Sequence, residues 1–76
     1  MADHTFDMGD QGCGEMAMSL RRAMQDLAPG DCMTVLSRDL GAPADVPAWC
    51  RLTGHELVSM GERPDPRAFE FVLRKG

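Results

Sequence analysis

Apolar side chains recur in the first third of the chain with the spacing of one helix face. Between Glu15 and Ala28 they follow one another at intervals of 4, 3, 1 and 3 residues, as Met16, Leu20, Ala23, Met24 and Leu27. Intervals of three and four residues place side chains on one side of an α-helix. Pro29 and Gly30 come next, and such a pair ends a helix. The pattern predicts an amphipathic helix whose Met-rich stripe packs into a core.

Short apolar segments on both sides of this helix predict strands. Thr5 to Met8 alternates weakly, and the segment from Cys32 to Leu36 is compact and mostly apolar. Further along, the segment from Glu56 to Met60 is typical of a strand, and residues 63–66, with two prolines, are typical of a turn. A last strand follows, in which one face carries Phe69, Phe71 and Leu73.

A second, shorter helix is predicted between the second and third strands. Asp45 is a suitable N-cap for a helix that runs through Thr53, with Pro47 in its first turn. Gly54 follows at the position of a left-handed C-terminal cap. The predicted order of elements is therefore β-α-β-α-β-β.

This order predicts an α/β two-layer sandwich. The first strand, helix and strand form a right-handed crossover, which makes two strands parallel. The last two strands close as an antiparallel hairpin, so the four-stranded sheet is mixed. Two helices cover one face of four strands, and polar residues at alternate strand positions face water.

Length and charge narrow the class of protein. With 76 residues, the chain is expected to form a single domain, residues 1–76, with a folded core from about residue 4 to residue 74. Such a chain has no room for a large enclosed pocket, which favours a carrier or binding module over an elaborate enzyme. Its net charge of −4 disfavours nucleic-acid binding.

The cysteines and the N-terminal segment predict a cytoplasmic protein. Cys13, Cys32 and Cys50 are an odd number without CxxC spacing, which argues against a disulfide framework. The first ten residues are acidic, unlike the basic start of a signal peptide. No apolar run approaches the roughly 20 residues that cross a bilayer.

Specific motifs resemble those of the TusA/SirA-like proteins. The resemblance extends from about Phe6 to Leu73 and is carried by Cys13-Gly14-Glu15-Met16, Leu20-Arg21, Ala23, Leu27, Gly30, Asp45-Val46-Pro47-Ala48-Trp49-Cys50 and Gly54-His55-Glu56-Leu57. The family pattern is a strand, a CPxP motif that opens the first helix, a helix ended by Gly, and a D-I-P-x-[WF]-[CA]-x-x-x-G-H segment. The implied fold is like that of the C-terminal domain of bacterial translation initiation factor 3, with strand order 1-2-4-3.

The resemblance also implies a function. TusA-like proteins carry sulfur as a persulfide on the CPxP cysteine, to which Cys13 corresponds. The sulfur comes from a cysteine desulfurase or a rhodanese and passes to a downstream acceptor protein. Cys13 is therefore the candidate sulfur-accepting residue, and the protein is at most a sulfurtransferase that acts as a persulfide carrier. A helix N-terminus lowers the pKa of a thiol placed there. No bound cofactor and no metal are implied.

The chain departs from the family pattern around this cysteine. Gly14 and Met16 replace the two prolines of CPxP, and Asp10 replaces a glycine. Gly14 loosens the placement of Cys13, because a proline there would fix the backbone. The carboxylates of Asp10 and Glu15 are expected to oppose formation of the thiolate. An alternative therefore stands beside the carrier: a non-catalytic TusA-like interaction or regulatory module that has lost sulfur transfer.

Several other residues have a functional and a structural interpretation. On the first helix Arg21 and Arg22 are placed to face an acidic partner protein, whereas a nucleic-acid-binding role rests on fold analogy alone. Structural roles are expected for Cys50 as a half-buried apolar residue, for Cys32 in the core, for a buried Trp49 and for His55 on loop backbone. The remaining alternatives are a Cys13–Cys50 redox pair and a zinc site of Cys13, Cys50 and His55, which no ligand spacing supports.

Overall fold

The structure is a computed structural model that describes residues 3–10, 12–64 and 67–76, without the side chains of Asp3 and Cys13. Six elements follow in the order β-α-β-α-β-β, as the sequence predicts. They are β1 (Asp3–Asp7), α1 (Cys13–Gln25), β2 (Cys32–Ser37), α2 (Ala42–Thr53), β3 (Glu56–Pro64) and β4 (Arg67–Arg74).

The four strands form one mixed sheet in the order β1-β2-β4-β3. The strands β1 and β2 are parallel, since the connection through α1 returns the chain to its starting edge. The strands β3 and β4 form an antiparallel hairpin, and β4 also pairs antiparallel with β2. The predicted fold class and the strand order implied by the family resemblance are confirmed.

The core lies between the two helices and one face of the sheet. On the central strands, Met33 is opposite Leu73 and Val35 is opposite Phe71, so these four side chains share the helix-facing side. The buried cluster combines them with Met8, Met16, Leu20, Met24, Leu27, Ala42, Val46 and Cys50. The Met-rich stripe of α1 is therefore core packing, as the sequence predicts.

The helix α1 begins and ends earlier than predicted. It runs from Cys13, two residues before the predicted start, to Gln25. At its end, the Asp26 amide donates to the carbonyls of Ala23 and Met24, and Leu27 continues this turn while its side chain stays in the core. Pro29 disfavours helical backbone at the residue before it. The helix therefore ends before the last residue of the apolar stripe.

The prediction of Asp45 as the N-cap of α2 is wrong. The helix begins three residues earlier, at Ala42, and Gly41 is the N-cap, so Asp45 lies in the first turn. The Gly41 amide donates to a side-chain oxygen of Asp39 over 3.1 Å, and this turn starts the helix. Proline suits the first turn of a helix, and Pro43 occupies it. Pro47, predicted in the first turn, therefore lies inside the helix.

The strands also differ in length from their predictions. β1 is Asp3–Asp7, shifted back from the predicted start at Thr5. β3 extends to Pro64, because β4 stays paired with it as far as Pro64 opposite Arg67. The predicted turn over residues 63–66 is therefore displaced: its first two residues belong to β3, and Asp65 and Pro66 lie outside the described residues.

Candidate functional site

The topology brings the start of both helices to one end of the molecule. Since β1 and β2 are parallel and each is followed by a helix, α1 and α2 both begin beside the carboxyl ends of these strands. We call this region, residues 8–10, 12–14 and 38–42, the Cys13 end. Cys13, the predicted site residue, is the first residue of α1. Ligand and partner sites of α/β sheets commonly lie at such an edge.

The backbone at the start of α1 provides hydrogen-bond donors. Gly12 is the N-cap, with extended backbone at φ −81° and ψ −179°, and its carbonyl accepts the first helical bond from the Met16 amide over 2.8 Å. No described side chain caps this helix. The amides of the first turn therefore keep their capacity to donate to an anion. The carboxylate of Glu15, in the same turn, opposes this effect in part.

The segment before α1 is fixed to the end of β2 by backbone hydrogen bonds. The Met8 amide donates to the Leu36 carbonyl, and the Arg38 amide donates to the Gly9 carbonyl, both over 2.8 Å. Gly9 has φ +60°, a left-handed conformation that glycine adopts at little cost. Its amide donates to the Asp7 carboxylate over 2.8 Å. The chain thus turns sharply and leaves the sheet toward Cys13.

A side-chain ion pair reinforces this attachment. The Arg38 Nε lies 3.2 Å from the Asp10 Oδ1, and its Nη2 lies 3.5 Å from Oδ2. The hydrogen bond to Asp10 is the main cause that raises the pKa of Arg38, followed by the charge of Asp10. Asp10 is thus not an isolated negative charge three residues before Cys13. The sequence offers only a weak signal for this pair, because its members are separated by 28 residues. They meet because β1 and β2 end side by side.

One face of α1 is exposed next to this region. It carries Gly14, Glu15, Met18, Arg21 and Arg22, which recur at helical spacing and are all exposed. Met18 retains 61% of its accessible surface. Exposed apolar surface beside cationic side chains is typical of a contact site for another protein. The structure thus places the predicted supporting residues on one accessible face that starts at Cys13.

The other two cysteines have different surroundings. Cys50 is buried in the core, more deeply than the half-buried position expected, and burial raises the pKa of its thiol, while the charge of Arg51 lowers it. The prediction that Cys32 lies in the core is wrong. Cys32 is half-buried and pairs with Arg74 across β2 and β4, on the face opposite to Met33. Its side chain stands beside the Arg74 guanidinium, which also binds Glu56 over 3.0 Å.

His55 has the structural role that the sequence predicts. Its Nδ1 accepts a hydrogen bond from the Gly76 amide over 3.1 Å. Its ring packs against Trp49, with 5.3 Å between ring centroids, and Trp49 is partly buried against the core. These contacts fix the start of β3 to α2 and to Gly76.

The described side chains contain no group of three His, Cys, Asp or Glu residues that could hold a metal ion. The Cys13 side chain is outside the described residues. The two alternatives that include it, a zinc site and a redox pair with Cys50, therefore lie outside them as well. Within the described part of the chain, neither helix combines the length and hydropathy needed to cross a membrane.

A comparison with protein families identifies the family of the chain. The family model of the sulfurtransferase TusA matches residues 4–75, nearly the whole chain. The match agrees with the strand order, with a cysteine at the first residue of α1 and with the Gly54 cap. Membership supports a role as a sulfur carrier in general terms. The chain belongs to the TusA sulfurtransferase family.

Proposed function

We propose that this protein is a persulfide carrier that accepts sulfur on Cys13 and passes it to another protein. The observation that carries the proposal is the position of Cys13 as the first residue of α1 in a chain that the TusA family model matches from residue 4 to residue 75. The amides of a helix N-terminus stabilise a thiolate, which is the nucleophilic form of cysteine. The prolines of the family motif are absent, and the backbone anchors at Gly9 supply another way to hold the segment.

The proposed transfer needs no resident cofactor. The Cys13 thiolate attacks the outer sulfur of a persulfide on the donor protein, and a new sulfur–sulfur bond forms on Cys13. The sulfur–sulfur bond of the donor breaks, and the donor cysteine leaves as a thiolate. Delivery to the acceptor repeats the exchange in the other direction. No net oxidation occurs, because one persulfide is exchanged for another.

The partners of this exchange are proteins. We propose a cysteine desulfurase or a rhodanese as donor and a downstream sulfur-acceptor protein. The exposed face of α1, with Arg21 and Arg22, offers a contact surface for an acidic partner. At the Cys13 end Leu40 is also exposed and, with Arg38, lines a groove of about 190 Å³. A partner that covers this end would contact the segment before α1 as it docks. A cytoplasmic setting fits the free thiols of Cys32 and Cys50.

Intact-protein mass spectrometry tests the proposal. The protein is incubated with a cysteine desulfurase and cysteine, and the same reaction is run on Cys13→Ser. We expect the native protein to gain the mass of one sulfur atom, to lose it on reduction, and to gain nothing when Cys13 is replaced. Cys32→Ser and Cys50→Ser are the matched controls, and we expect both to load like the native chain.

Two outcomes would contradict the proposal. Sulfur that still loads on Cys13→Ser would move the site to Cys32 or Cys50. Folded protein with a free Cys13 thiol that takes no sulfur from several desulfurases and rhodaneses would instead favour the interaction module without sulfur transfer. If Cys13→Ser still binds the donor protein, that binding would then be the remaining function.

A further inference from the structure

We infer that Arg38 is a positioning residue for the Cys13 site, which holds the segment before α1 in place and offsets the charge of Asp10. The inference rests on the proposed function only because both concern Cys13. It arises from a place where this chain departs from the family pattern, since Asp10 stands where the family has glycine.

Arg38 contacts the segment through both its backbone and its side chain. Its amide donates to the Gly9 carbonyl over 2.8 Å, and its guanidinium binds both carboxylate oxygens of Asp10 at 3.2 and 3.5 Å. An added Cβ at Gly9 would lie 3.2 Å from the Arg38 Nη2, so a side chain there would require the guanidinium to shift. Arg38 therefore lies flat against the turn that leads to Cys13. Planar guanidinium groups suit such two-point binding of a carboxylate.

The charges around the Cys13 end make this contact important. The carboxylates at or next to it belong to Asp7, Asp10, Glu15, Asp39 and Asp45. Among the described residues of the Cys13 end itself, Arg38 is the one cationic side chain; Arg67 lines the adjoining groove together with Glu62. Each unpaired carboxylate near a thiol favours its neutral form. Arg38 thus counters the excess of negative charge that would keep Cys13 protonated.

The ion pair is exposed, with 45% of the Arg38 side chain and 81% of the Asp10 side chain accessible. Exposed pairs contribute little to global stability. Its effect should therefore be seen in the reactivity of Cys13 rather than in unfolding. A change in Cys13 reactivity without a change in the free energy of unfolding distinguishes a positioning role from a merely structural one.

The test is the pH profile of Cys13 alkylation by iodoacetamide, read as modification of the peptide that contains Cys13. In Arg38→Gln we expect the profile to move to higher pH and the rate near neutrality to fall about twofold to fivefold. In Asp10→Asn the profile should not move to higher pH, because the carboxylate itself is gone. The double variant Asp10→Asn/Arg38→Gln should return toward the native profile.

Arg74→Gln is the matched control, because it removes an arginine from another exposed pair, 3.0 Å from Glu56, at the other end of the sheet. A native profile is expected for this variant. A profile for Arg38→Gln that overlies the native one, or an equal shift in Arg74→Gln, would overturn the inference. Alkylation requires no sulfur donor, so the result is independent of persulfide loading. A native protein that takes up no sulfur would refute the proposed function, yet the alkylation profiles would still decide the role of Arg38.

Discussion

Each of the three cysteines takes its chemistry from its immediate surroundings. Burial raises the pKa of the Cys50 thiol, although the charge of Arg51 acts in the opposite direction. The unfolded chain ionises this thiol near its ordinary pKa of about 8.5. Stability that depends on neutral Cys50 is therefore fully present below that pH and is lost as the pH rises toward the folded-state value.

We accordingly expect the free energy of unfolding to fall as the pH is raised from about 8 to about 10, and to fall less in Cys50→Ala. Urea unfolding at a series of pH values measures this. Cys32→Ala retains the buried thiol, so its pH dependence should match that of the native protein. Equal slopes for Cys50→Ala and the native chain would show that ionisation of Cys50 does not contribute.

The roles of these residues could be predicted from sequence only in part. Cys50 occurs in a helix next to an aromatic residue, a pattern that predicts a half-buried apolar side chain, and packing against the sheet buries it further. Cys32 stands in a mostly apolar segment, but the strand alternates, and register places Cys32 opposite Arg74. The pair of Arg38 and Asp10 depends on two strands that end side by side, and no local pattern contains that information.

Each helix has a glycine at one end, and the two glycines differ in backbone conformation. Replacing each of them by alanine measures this difference. Gly14 lies in the first turn of α1 without a positive φ, whereas Gly54 caps α2 at φ +82°. At both positions an added Cβ would meet no atom within 4 Å. Any difference between alanine variants therefore reflects backbone conformation.

For Gly14→Ala we expect the free energy of unfolding to rise by about 0.5 kcal/mol, because alanine favours the helix. For Gly54→Ala we expect a fall of about 1 kcal/mol, because alanine disfavours left-handed backbone. Urea midpoints of the two variants and the native protein provide the comparison. Shifts of the same sign in both variants would contradict this account.

Element types and order follow from sequence more reliably than element ends do. The stripe of α1 and the glycine after α2 identify both helices, and alternation identifies β4. The ends depend on hydrogen bonds to distant segments or on side chains outside the helix. α2 begins at Ala42 because Asp39 binds the Gly41 amide, and β3 reaches Pro64 because β4 pairs with it throughout.

The whole molecule carries a net charge of −4, whereas the exposed face of α1 carries two adjacent positive charges, Arg21 and Arg22. If an acidic donor docks on this face, Arg21→Glu/Arg22→Glu should slow persulfide loading about tenfold at low salt. Arg21 lies about 12 Å along the helix from Cys13, beyond the screening length of roughly 10 Å. Alkylation of Cys13 by iodoacetamide should therefore remain unchanged.

Arg51→Glu is the matched control for this experiment. It makes half of this charge change, in the last turn of α2, and the topology places that turn at the end of the molecule opposite Cys13. We expect its loading rate to stay close to the native rate when measured by the same mass-spectrometric time course. Equal slowing in both variants would point to net charge rather than to the face of α1.

The strand directions have a practical consequence for the two ends of the described chain. Residue 3 begins β1, and Arg74 near the end of β4 is opposite Cys32, the first residue of β2. Both ends therefore lie on the side away from the start of α1. A tag, a surface tether or a neighbouring domain attached at either end would leave the end of the molecule where α1 begins open to a large protein that approaches from the other side.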